Sequence, residues 1–134
     1  MREQLPPKTV LGFDFGLKRI GIAVGNTLTK QAQPLTVLRS SDNLTKFNAI
    51  ARLLDEWQPD ICIVGVPYHS DGTPHEMTQR CRRFANQLHG RFGMSIELVD
   101  ERYSSAVLPQ TRDEWIDAQA AAIILQQYFD DQSI

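Results

Sequence analysis

The chain has 134 residues, 42% of them hydrophobic and 22% charged, with a formal net charge of −2. That balance excludes disordered and fibrous classes and suits one domain, spanning 1–134, with a core of its own. Its two cysteines lack CxxC spacing, so a disulfide framework and a zinc cluster are set aside in favour of buried free thiols in a reducing cytoplasm. The N-terminus, MREQLPPKT, carries no export signal, and no apolar run nears the roughly 20 residues of a membrane span, so a cytoplasmic protein without membrane contact is expected.

Residues 1–8 read as a loose arm, because Pro6 and Pro7 oppose strand pairing. Residues 9–15 and 19–25 are strand-like, and the short link between them makes an antiparallel hairpin. Within the first strand a carboxylate, Asp14, stands among Val10, Leu11, Phe13 and Phe15. Burying it unpaired costs several kcal/mol, so a Lys, an Arg or a metal ion should meet it. A third strand covers 34–38, at a sheet edge because Pro34 opens it.

Ser40, Ser41 and Asp42 are N-cap candidates for a helix reaching Trp57, with Leu44, Phe47, Ile50, Ala51 and Leu54 at helical spacing. Residues 61–66, ICIVGV, have the continuous apolar character of a parallel strand covered on both faces. A turn-rich loop follows, then a helix over 75–92 with Met77, Cys81, Phe84, Ala85 and Leu88 on one face and Gly93 as terminator. Another buried strand spans 95–99. Thr111 and Glu114 have the form of a capping box before a last helix reaching Phe129. On that helix Asp117 shares the stripe of Ala121, Ile124 and Tyr128, so an acid lies on the face that should pack against the sheet.

The element order βββαβαβα predicts an α/β fold with a mixed sheet in strand order 3-2-1-4-5, since helical crossovers impose parallel pairing on the later strands. Sites in such sheets form beyond the carboxyl ends of parallel strands. Asp14, Asp100, Glu101 and Asp117 would gather there, whereas Asp60 sits at a strand's amino end. Converging carboxylates make either a proton-sharing cluster or a cage for hard cations, and two cations about 4 Å apart serve phosphodiester cleavage. His69, on the loop after the fourth strand, is a candidate for proton transfer or phosphate contact, and otherwise a solvated loop residue. Lys18, Arg19 and Arg102 are placed to meet phosphate oxygens, with a solvated turn or an ion pair to Asp100 as the alternatives. Arg80, Arg82, Arg83 and Arg91 make the second helix basic, for solvent or for a nucleic-acid backbone.

The segments GFDFGLKRIGIAVG, AQPL, VGVPY with the following DGT, DERYSS and DAQAAAIILQQYF, in this order and spacing, resemble the YqgF/RuvX family over nearly the whole chain. The resemblance implies an RNase H-like fold and a resolvase-like nuclease that hydrolyses phosphodiester bonds. It implies maturation of the 5′ end of pre-16S rRNA, with Holliday-junction cleavage of branched DNA as the alternative. It also implies Asp14, Glu101 and Asp117 as catalytic acids holding Mg²⁺ or Mn²⁺, two ions in all, with Lys18, Arg102 and His69 on the substrate. Asp100 rivals Glu101, but neighbours on a strand face opposite ways and Glu101 is preferred. Two features depart from the family pattern. His69 stands where relatives commonly carry Asn, and the connection over 102–116 is shorter than theirs, leaving Arg112 as its remaining cation near the site. That shortening opens a reading of another class, a non-catalytic RNA-binding module in ribosome assembly. Nothing in the sequence selects an oligomeric state.

Overall fold

In the computed structural model, residues 6–40, 42–101 and 115–131 are described. The chain runs through β1 (Thr9–Phe15), β2 (Arg19–Asn26), β3 (Ala32–Arg39), α1 (Asn43–Trp57), β4 (Ile61–Val66), α2 (Thr78–Phe92), β5 (Ser95–Asp100) and α3 (Trp115–Asp131). The sheet has five strands in the order β3-β2-β1-β4-β5, as the crossover argument predicts. β2 pairs antiparallel with β1 and β3, while β4 pairs parallel with β1 and β5.

Period-two alternation along the strands sorts the side chains into two cores. Leu11 and Phe13 of β1, Ile20 and Ile22 of β2, and Cys62 and Val64 of β4 pack under α1 and α2. Val10, Ala23, Ile63 and Val99 pack under α3 against Ala121, Ile124, Leu125 and Phe129. Phe84 of α2 is the aromatic hub of the first core, with its ring centroid 4.7 Å from Phe15, 5.8 Å from Phe13 and 6.2 Å from Phe47. Cys62 and Cys81 are free and buried, as expected.

Four sequence expectations need revision. Pro34 lies inside β3, which begins at Ala32. Ile22 pairs with Thr36 and Ala23 with Pro34, so Leu35 is the extra residue of a bulge, and an edge-strand bulge accommodates a residue without an N–H. β5 is an edge strand and mostly exposed, with Val99 its buried residue and Leu98 46% exposed. The cause is the lie of α3, which covers chiefly β1, β2 and β3 and leaves the β5 side of the sheet thinly roofed. α2 starts at Thr78, because the Thr78 hydroxyl accepts from the His75 N–H and donates to the Pro67 carbonyl, tying 67–77 into loop. Finally, the α1 stripe is narrower than its spacing suggests: Leu44 is 72% exposed, while Phe47 and Ile50 carry the packing.

The α1 cap is Asp42, whose carboxylate accepts from the Thr45 N–H at 2.8 Å. Gly93 ends α2 in the left-handed region at φ 66°. Asp60 stays at the amino end of the sheet, exchanging two hydrogen bonds with Thr9. The proposed Thr111–Glu114 capping box lies outside the described residues.

Candidate active site

Asp14 pairs across the hairpin with Gly21, and alternation turns both toward α3. A Cβ on Gly21 would stand 1.8 Å from the Asp117 carbonyl oxygen, so only glycine lets the first turn of α3 rest on the β2 backbone. That close approach brings the Asp117 carboxylate beside Asp14. Burial pushes the Asp14 carboxyl up to about 7, and the Asp117 charge adds to the rise.

The cation expected at Asp14 is found on its neighbour. Arg19 Nε donates to Asp117 Oδ2 at 2.6 Å, both side chains remaining partly exposed. Among the described residues no Lys or Arg forms an ion pair with Asp14. Reading Arg19 as a turn residue missed this pairing. The available signal was alternation, which sends Arg19 to the same face as Gly21 and Ala23.

Glu101 follows β5 and extends its ladder by one bond, its N–H donating to the Val66 carbonyl at 3.1 Å. It shares the strand face of Val99, the face that α3 covers. Its carboxylate lies over Gly65, where a Cβ would meet Glu101 Oε2 at 2.8 Å and Ile124 Cδ1 at 2.6 Å. Asp100, one residue earlier, turns the other way, and its carbonyl accepts from Gln127 Nε2 at 2.9 Å. Cys81 reports the proximity of two acids. Its thiol is pushed up to about 12, first by burial and then by the charges of Glu101 and Asp14. Asp14, Glu101 and Asp117 thus share one end of the sheet, the carboxyl end of β1 and β4.

Lys18 is exposed on the hairpin turn, its carbonyl accepting from the Ser40 N–H at 2.9 Å. His69 is exposed on the loop after β4, with its ring 5.1 Å from that of His75. Arg102 and Arg112 lie outside the described residues.

The donor set suits a hard divalent cation, being carboxylate oxygens alone, and a dication would offset the burial and the Asp117 repulsion that push the Asp14 carboxyl up. As the side chains stand, no three His, Cys, Asp or Glu among the described residues are grouped closely enough to hold a metal ion. Arg19 engages one oxygen of Asp117 and leaves the other for a cation, so gathering three carboxylates requires the side chains to turn inward.

A mixed five-stranded sheet in this order, with acids at the carboxyl ends of its central strands, defines the class: an RNase H-like fold of the resolvase kind. The chain belongs to the RuvX family, described as Holliday junction resolvase, which matches residues 8–131. Membership makes it an enzyme of the nuclease class. It is 51% identical over 135 residues to a Burkholderia ambifaria protein named "Putative pre-16S rRNA nuclease", covering 93% of this chain and 91% of that one. A Paraburkholderia phymatum protein of the same name is 52% identical over 132 residues, covering 94% of this chain and 87% of the relative. Among solved structures, Thermus thermophilus RuvC in complex with Holliday junction substrate superposes with a TM-score of 0.59 at 14% identity, covering 93% of this chain and 95% of that one. The fowlpox virus Holliday junction resolvase does so with 0.57 at 13% identity, covering 92% and 99%. At such identities the likeness speaks for the fold.

Proposed function

We propose that this protein is a divalent-metal-dependent endonuclease that hydrolyses phosphodiester bonds in structured RNA, and that its substrate is pre-16S rRNA, processed at the 5′ end in the cytoplasm. The observation that carries the reading is the seating of Asp117 over Gly21, the cross-strand partner of Asp14, a crowding that with burial pushes the Asp14 carboxyl up to about 7. A half-buried acid crowded by a second acid is a costly arrangement for structure alone and a useful one for binding cations. The names of the relatives near 50% identity support the RNA substrate.

Asp14, Glu101 and Asp117 are the residues that would hold Mg²⁺ or Mn²⁺, two ions in this reading, with Asp100 turned away. When bound, such ions activate water and neutralise charge on the leaving oxygen. Asp14 holds or yields a proton near neutral pH according to what its oxygens meet. Arg19, paired with Asp117, and Lys18 on the adjoining turn place positive charge beside the acids to meet a phosphate oxygen. His69 lies on the loop that would border the substrate, and Arg102 is assigned the same role from the motif.

The family's description as Holliday junction resolvase favours a second substrate, a branched DNA. The test is cleavage of precursor RNA and of a four-way DNA junction by wild type and Asp14→Asn, with and without Mn²⁺. Metal-dependent cutting of the RNA, lost in the variant, is the expected result. Junction cutting alone makes the protein a resolvase. Binding without cutting of either substrate removes the hydrolytic role and leaves an RNA-binding assembly module.

A further inference from the structure

On the sheet face opposite the carboxylates, a cavity of about 310 Å³ opens near the hairpin turn, between α1 and α2. Its cations are Lys46, Arg80 and Arg83, joined by the neutral polar groups of Ser40, Asn43 and Gln87, and no Asp or Glu among the described residues lines it. Lys46 is the unusual member. It is only 8% exposed, with its ammonium 5.4 Å from the Phe15 ring centroid and 5.1 Å from that of Phe47. Arg91 adds a further positive charge above Phe47, at 4.1 Å, and with burial it lowers the Lys46 pKa. Asp42 acts on Lys46 in the opposite sense, but one of its oxygens caps the Thr45 N–H. Among the described residues neither Arg80 nor Arg83 forms an ion pair. Three cations converging on a half-open volume repel one another unless an anion stands between them.

We propose that this cavity binds a phosphate group, and that in the working enzyme it holds a non-scissile backbone phosphate of the nucleic-acid substrate. Its position argues for the second half. Phe15, which lines the cavity, follows Asp14 directly, and alternation sends the two side chains to opposite faces of β1. Leu17 rims the cavity on the turn, and Lys18 and Arg19 lead from that rim to the acids. A polyanion crossing the turn therefore meets positive charge along its path from the cavity to the candidate active site. The substrate assignment rests on the nuclease reading; the phosphate chemistry does not.

The test compares wild type, Arg80→Ala/Arg83→Ala and Arg80→Lys/Arg83→Lys, all at exposed positions where the fold should persist. Binding to a fluorescent structured RNA is measured in EDTA across a salt series, and melting temperature is measured in rising inorganic phosphate. The double alanine variant should bind RNA about tenfold more weakly, with the log–log salt slope shallower by about one to two units, and the double lysine variant should recover most of both. Phosphate should raise the melting temperature of wild type and of the lysine variant but not of the alanine variant. Loss of the phosphate effect with RNA binding intact keeps the anion site but assigns it to a free phosphate compound. RNA binding and phosphate response both unchanged in the alanine variant overturn the proposal. The two readings separate cleanly. Wild type that cuts RNA beside an unaltered variant leaves the nuclease standing without this anchor, and altered binding by an enzyme that cuts nothing does the reverse.

Discussion

Asp14 gives the candidate site a pH dependence of its own. Its carboxyl titrates at about 7 in the fold against an ordinary value of 3.8, so on raising the pH the unfolded chain gives up this proton first. The contribution to stability is therefore complete below about pH 4, declines as the pH rises toward 7, and is level above it. Urea unfolding between pH 4 and pH 8 should trace that decline. Asp14→Asn should flatten it and leave the protein more stable at pH 8 by about 1–2 kcal/mol, the usual sign of a side chain kept for function at the expense of the fold. Mn²⁺ at pH 8 should raise the melting temperature of wild type and not of this variant. Arg19→Ala is expected to behave differently. A partly exposed pair contributes about 0–1 kcal/mol, so stability should barely change. With the Asp117 charge no longer balanced, Asp14 should titrate higher still, which carboxyl carbon NMR can follow.

At the scale of elements, the site depends on how closely α3 approaches the sheet. Gly21→Ala places a methyl 1.8 Å from the Asp117 carbonyl oxygen, so the helix must back away from β2. Overpacking of this kind costs about 1–3 kcal/mol or more, and it should also lower the Asp14 titration point by moving Asp117 off. Phe84→Ala tests the other layer. Losing the hub of the α1 and α2 core should cost about 3–5 kcal/mol in urea unfolding while leaving the Asp14 titration in place. The contrast between these substitutions separates a contact that positions the acids from one that only holds the fold.

Across the whole molecule, the hairpin turn divides an acidic side from a basic side. Asp14, Glu101 and Asp117 lie toward α3, and Lys46, Arg80 and Arg83 lie between α1 and α2. This arrangement explains how a chain with a net charge of −2 can present positive charge to a polyanion, since whole-chain charge averages over two unlike faces. No helix among the described residues is long and apolar enough to cross a membrane.

The strand order, and the gathering of Asp14 with Asp117, were legible because they follow from local rules. Alternation in β1, the helical spacing of Asp117 with Ala121, and the handed crossovers each depend on a short stretch of chain. Alternation showed that Asp100 and Glu101 face opposite ways, and the family motif selected Glu101, the one whose carboxylate lies over Gly65. The partner of Arg19, the contact over Gly21, the bulge at Leu35, the exposure of β5 and the burial of Lys46 were not legible, since each depends on where a helix lies across strands remote in sequence. Residue order by itself determined which acids reach the carboxyl end of the sheet. Tertiary packing alone decided the charge state of Asp14, because a carboxyl's pKa answers to the burial and neighbouring charge it meets, and those arise only when α3 settles onto β2.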